Sequence, residues 1–165
     1  MKGLVYKSTG SWYSVRSETG DMYDCKIKGK LRLKNINSTN PVVVGDIVEF
    51  VVEEHDLQEI GIIQKIHDRR NYILRKSVNL SKQTHILASN IDLLLLVITL
   101  KNPITTTSFI DRFLVSAEAY SVKTILVFNK CDIYDKNDEI LLNLLINTYE
   151  SIGYDTIKTS TFSEI

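Results

Sequence analysis

Only two cysteines occur, Cys25 and Cys131, far apart in the chain. That excludes a disulfide framework, and no Cys/His spacing fits a zinc site, so no residue is assigned as a metal ligand. The three histidines, His55, His67 and His85, are scattered and read as solvated surface residues. Long apolar runs are also missing. The longest, residues 93–98, falls far short of the ~20 residues that a membrane span needs. The N-terminus, MKGLVY, has no apolar core of signal-peptide length, so a cytoplasmic address without membrane contact is expected. Net charge is absent too, with 20 Lys and Arg against 20 Asp and Glu.

What is present is unevenly distributed. Residues 1–91 hold 14 Lys and Arg against 10 Asp and Glu, whereas residues 92–165 hold 6 against 10. Such asymmetry suggests two domains with different partners, the basic one meeting nucleic acid. The first part reads as strands over 12–18, 22–28, 47–53 and 60–66, with turns at Thr19-Gly20-Asp21 and Gly45-Asp46. Short strands spaced by turn residues indicate a small closed barrel, of the size of an oligonucleotide/oligosaccharide-binding (OB) domain, over residues 1–68. Residues 69–90 are polar, basic and without a clean period, and read as a linker with one short strand at 72–74.

From residue 91 the pattern changes. Residues 91–99, with the apolar run 93–98 at their centre, are expected to form a strand buried on both faces. Residues 108–120 and 137–151 carry apolar side chains at helical spacing, the first opened by a Ser108/Asp111 pair that resembles a capping box. Strands are expected at 124–128 and 155–159. The order β-α-β-α-β predicts a parallel sheet with crossover helices over 91–165.

In such sheets ligands bind at the carboxyl ends of the strands. Asn129-Lys130-Cys131-Asp132 follows the strand at 124–128 directly. An ionised Asp is acceptor-only, and guanine offers two adjacent donors, its N1–H and 2-amino group. Adenine offers neither at that edge, so Asp132 reads guanine. Asn129 can donate to the acceptor edge of the base or tie the loop together, and the Lys130 stem can lie along the purine face. One strand later, Thr159-Ser160-Thr161 resembles the segment where GTPases often carry a Ser-Ala pair whose backbone N–H meets guanine O6, with Thr161 in place of the Ala; by that resemblance Ser160 and Thr161 are candidate contacts.

A phosphate cradle of the form G-x-x-x-x-G-K-[ST] is absent: none of the seven glycines starts it. Either the domain never hydrolysed GTP, or the phosphate half follows the guanine half in a permuted order and is absent from this chain. The second is favoured, and the chain alone is expected to be inactive. An alternative is an RNA-binding OB protein with a non-hydrolysing or degenerate α/β appendage.

Residues 25–34, CKIKGKLRLK, place Lys26, Lys28, Lys30, Arg32 and Lys34 at every second position, on one face if extended. With Arg69, Arg70 and Arg75 they could neutralise RNA phosphates. Trp12, Tyr13 and Tyr23 could stack on unpaired bases or fill the barrel core.

These residues together resemble the circularly permuted GTPases that depend on the small ribosomal subunit. The likeness includes Gly45-Asp46, Gly61, Arg69-Arg70-Asn71, Leu74-Arg75, Asn90-Ile91-Asp92, Asp111-Arg112-Phe113-Leu114 and Asn129 to Asp132. The resemblance implies an OB domain on 16S ribosomal RNA, a permuted GTPase domain, and a zinc-binding C-terminal domain whose ligands lie outside this chain. It implies GTP with Mg2+ as ligand, the 30S subunit as partner, and ribosome-stimulated hydrolysis during late subunit maturation. A monomer is expected.

Overall fold

The computed structural model describes residues 1–27, 41–55, 58–76 and 84–163. They form two compact units, Met1–Ile91 and Asp92–Ile165. No helix among the described residues is long and apolar enough to cross a membrane.

The first unit is built on β1 (Lys2–Thr9), β2 (Trp12–Ser17), β3 (Met22–Ile27), β4 (Ile47–His55) and β5 (Gln58–Ile66). They close into a barrel in the order β1-β2-β3-β5-β4. All neighbours are antiparallel except β3 and β5. The period-2 alternation of each strand sends one row inward, and Val5, Tyr13, Val15, Cys25, Val48, Phe50 and Ile63 fill the interior. Burial pushes the Cys25 thiol up to about 12, with the charge of Asp24 adding to the effect, so it behaves as a small apolar core group.

β1 has no counterpart in the sequence reading. Its inward row begins at Gly3, which is not apolar, so the alternation looks broken. The geometry requires that glycine: a Cβ there would lie 2.6 Å from the Arg16 carbonyl oxygen.

Residues 69–90 differ from the expected linker. β6 (Tyr72–Lys76) and β7 (Thr84–Ser89) pair as an antiparallel ribbon. The ribbon is fixed to the segment before β4 through a parallel bridge between Val44 and Ala88. Gly45 lets the two backbones meet, since a Cβ at its φ of +88° would sit 2.0 Å from the Ser89 carbonyl oxygen.

The second unit contains β8 (Leu94–Ile98), α1 (Thr107–Ala119), β9 (Thr124–Phe128), α2 (Lys136–Ser151) and β10 (Asp155–Lys158). The sheet is parallel in the order β10-β9-β8. Both helices pack on the face of Leu96, Ile98, Leu126 and Phe128, through Ile110, Leu114, Leu142 and Tyr149. The opposite face of β8 leaves Leu95 55% and Val97 56% exposed. The expectation of burial on both faces is therefore corrected for this strand. The N-cap of α1 also differs: Thr106, not Ser108, accepts from the Phe109 N–H. α2 does carry a capping box, between Asp135 and Asp138.

Candidate guanine-binding site

β9 lies between its two neighbours, so its carboxyl end meets both of theirs. The Asn129 N–H donates to the Ile98 carbonyl at 2.8 Å, and the Thr159 N–H to that of Phe128 at 2.8 Å. Lys130 then takes a left-handed conformation, φ +65° and ψ +33°, and reverses the chain into a single turn of 3-10 helix, Cys131–Ile133. The turn is closed against the next strand by Cys131 N–H on the Thr159 carbonyl, 3.2 Å. The Cys131 thiol donates to the Phe128 carbonyl at 3.2 Å.

The side chains are held as tightly as the backbone. Thr159 Oγ1 donates to Asn129 Oδ1 at 3.1 Å, which fixes the amide and directs its N–H groups away from Thr159. Ser160 Oγ donates to Asp132 Oδ1 at 2.6 Å. The same oxygen accepts the N–H groups of Phe162 and Ser163, at 3.0 and 3.2 Å, which commits its proton to Asp132. Asp132 is exposed. A carboxylate has about four lone-pair positions, so one bond from Ser160 leaves room for two more donors. Thr161 is exposed in the bend that follows Ser160.

The loop between β8 and α1 supports this arrangement. Tyr134 Oη accepts the Leu100 N–H at 3.0 Å and donates to the Asn129 carbonyl at 2.7 Å. Burial holds the Tyr134 phenol above its ordinary range, so it keeps the proton that this relay requires. The Lys130 ammonium donates to the Asn102 carbonyl. Lys101 bridges Asp135, at 3.1 Å, and Asp138. Hydrogen bonds to Asp138 and Asp135 raise the Lys101 ammonium, and the Asp138 N–H lowers the Asp135 carboxyl most.

Tyr134 carried no signal in the sequence, because its two partners come from separate loops. Tyr134→Phe keeps the ring and leaves both partners without the hydroxyl. The expected loss is about 1–3 kcal/mol of stability. Chemical denaturation checks it, and an unchanged midpoint would show that the relay contributes nothing.

The basic residues fare differently. Lys26 is exposed on β3. Arg70 is exposed, and its guanidinium reaches the Asn90 carbonyl at 3.3 Å. Lys28, Lys30, Arg32 and Lys34 lie outside the described residues, as does the side chain of Arg75. Arg69 requires a correction. Its side chain is 5% exposed and grips the fully buried Asp46, Nε to Oδ1 and Nη2 to Oδ2 at 2.7 Å each. A guanidinium so enclosed is part of the fold, not a phosphate contact. Tyr13 and Tyr23 also belong to the barrel core and its margin, while Trp12 stays exposed.

Residues 66–164 match the family described as RsgA GTPase, and residues 2–63 match the RsgA N-terminal domain. The chain belongs to the RsgA GTPase family. It is 57% identical to the small ribosomal subunit biogenesis GTPase RsgA of Christiangramia forsetii, across 97% of this chain and 51% of that protein. It is 56% identical to the protein of the same name from Flavobacterium psychrophilum, across 98% and 49%. Among solved structures it resembles YjeQ from Thermotoga maritima, with 34% identity, a TM-score of 0.69, and coverage of 96% of this chain and 51% of that one. YloQ, a circularly permuted GTPase, matches with 26% identity and a TM-score of 0.66 across 98% and 52%. The chain thus spans about half the length of the RsgA relatives it matches, and its barrel and parallel sheet are the OB-type and permuted-GTPase parts of that architecture.

Proposed function

We propose that this chain is the RNA-binding and base-reading part of a GTPase that acts in late maturation of the small ribosomal subunit. The observation that carries the reading is the docking of Asn129 and Asp132 onto Thr159 and Ser160, at the carboxyl ends of adjacent parallel strands. Asp132 takes the N1–H and 2-amino group of guanine, Ser160 holds the carboxylate in line, and Asn129 presents its amide N–H to the acceptor edge. Cys131 shapes the turn through its backbone, and Thr161 flanks the base. The relatives' names, small ribosomal subunit biogenesis GTPase, support the assignment of the 30S subunit, 16S rRNA and GTP or GDP as partners. Lys26, Lys28, Lys30, Arg32, Lys34, Arg70 and Arg75 are the proposed phosphate contacts. The chain works as a monomer in the cytoplasm.

The residues present fit a guanine base. They do not supply a phosphate cradle, and no step through Mg2+ is assigned to them. No cluster of His, Cys, Asp and Glu among the described residues suits zinc.

Binding of fluorescently labelled GDP to the chain tests the base-reading part. Unlabelled GDP and GTP should displace it, and ATP should not. Equal displacement by ATP refutes the assignment. For the basic stretch, replacing Lys28, Lys30 and Arg32 with Ala should weaken 30S binding and flatten its salt dependence. An unchanged salt slope in co-sedimentation would return those residues to a solvated surface.

A further inference from the structure

We propose that the outer face of α2 docks a basic, amphipathic segment of another protein. This inference rests on the small-subunit reading for the source of that segment, a basic protein of the ribosomal subunit.

A helix that lies on a sheet normally turns apolar residues inward and charged residues outward. α2 departs from that pattern. Leu142, Leu145, Ile146 and Tyr149 pack into the core. Yet Ile140, Leu141, Leu144 and Ile152 are apolar too, and they are 70%, 45%, 61% and 65% exposed. Ile140 and Leu144 are four residues apart, and Thr148 and the C-cap Ile152 continue the row at the same interval. Leu141 widens the row, and Asn137 and Ser151 beside it carry no charge. An uncharged stripe therefore follows the helix for about 18 Å, from Ile140 to Ile152.

The charges lie beside the stripe, and they are of one sign. Glu139 and Glu150 stand on the side of α2 towards β10, where Glu150 accepts the Thr156 hydroxyl at 2.6 Å. α1 contributes Asp111 and Glu118, which accept the phenols of Tyr149 and Tyr154 at 2.9 and 3.4 Å. Among the described residues none of these four carboxylates pairs with a lysine or arginine. α1 holds two acidic residues and α2 three, against Arg112 and Lys136 as the only bases of the two helices.

An apolar centre depleted of charge, with a charged rim, is the make-up of a protein interface. A continuous exposed apolar patch bordered by polar groups marks such a site. The sign of the rim selects the partner. RNA phosphates would meet four carboxylates that no cation neutralises. A second copy of this chain would bring the same carboxylates together. A segment with lysines or arginines beside an apolar face complements both the stripe and its rim.

The test places the photo-crosslinker p-benzoylphenylalanine at Leu144, which keeps the site apolar. The full chain is co-sedimented with purified small subunits and irradiated. The expected product is a ribonuclease-resistant adduct with a basic ribosomal protein. Leu144→Asp should weaken co-sedimentation about tenfold, the contribution of one buried leucine. Glu139→Lys should weaken it as well, whereas contact with RNA would be strengthened. Both positions are exposed, so the circular-dichroism midpoint and the displacement of labelled GDP should hold. A ribonuclease-sensitive adduct, or a crosslinked dimer of the chain, would overturn the proposal. Co-sedimentation that yields no adduct and is unaltered by Leu144→Asp would overturn it and leave the small-subunit reading standing. If the parent chain does not sediment with the subunit, both fall.

Discussion

Asp132→Asn should move the base preference of the site from guanine to xanthine. In the proposed site the carboxylate accepts from two adjacent donors of guanine, each charge-assisted bond contributing about 1.5–3 kcal/mol. The substitution keeps an acceptor for the N1–H and loses the bond to the 2-amino group, which corresponds to roughly a 10- to 10²-fold loss of guanine-nucleotide affinity. An asparagine amide presents one acceptor and one donor. Xanthine matches it, with an N1–H and a carbonyl where guanine has its amino group. Ser160 Oγ, 2.6 Å from Asp132 Oδ1, can donate to an amide oxygen as it does to the carboxylate, so the substituted side chain keeps its orientation. Competition between GDP and xanthosine diphosphate for the labelled nucleotide gives the ratio. Asp132→Ala should weaken both ligands and favour neither. A GDP-to-xanthosine ratio left unchanged by Asp132→Asn would remove Asp132 from the base edge.

The position of the loop at residues 129–132, at the carboxyl end of β9, was legible because its information is local. An apolar strand, four residues and a helix specify where the loop stands, and the fold places the Asn129 and Ser160 segments side by side once the strands are parallel. The two-unit division was legible for a similar reason, since the change from short alternating strands to long helical spacing falls near residue 91.

Other features depended on partners that a linear reading does not pair. β8 is a run of leucines, and such a run hides the alternation that leaves Leu95 and Val97 outside. The β6–β7 ribbon reads as a linker because its residues, YILRK and THILAS, mix basic and apolar side chains without a regular period. Asp46 looked like the polar member of a Gly-Asp turn, yet it is fully buried. Its acceptors are used by the Val43 N–H at 2.9 Å, the Ser89 hydroxyl at 2.6 Å and the Arg69 guanidinium. Arg69 in turn looked like one of a basic stripe, because charge is visible in a sequence and enclosure is not. The junction extends through Asn90, whose amide donates to the Gly45 carbonyl at 2.8 Å, and Asn71, which exchanges two bonds with the backbone of Ile91.

That network sets the second large effect, on stability. Arg69→Ala should destabilise the barrel unit by about 3–5 kcal/mol, because it leaves the Asp46 carboxylate buried without its counter-charge. Domains of this size have roughly 5–15 kcal/mol in all, so much of the unit's stability is at stake. Arg69→Lys restores the charge but not the two-pronged geometry, and should recover only part of the loss. Arg70→Ala, one residue on and exposed, should stay within about 0.5 kcal/mol of the parent. Urea unfolding followed by Trp12 emission measures all three, since the only tryptophan lies in the same unit. The pair also separates folding from recognition. Arg70→Ala should weaken RNA binding at an unchanged midpoint, whereas any loss in Arg69→Ala should track the fraction unfolded. Equal midpoints for Arg69→Ala and the parent would show that Asp46 keeps its stability through Val43 and Ser89 alone, and would return Arg69 to the set of candidate phosphate contacts.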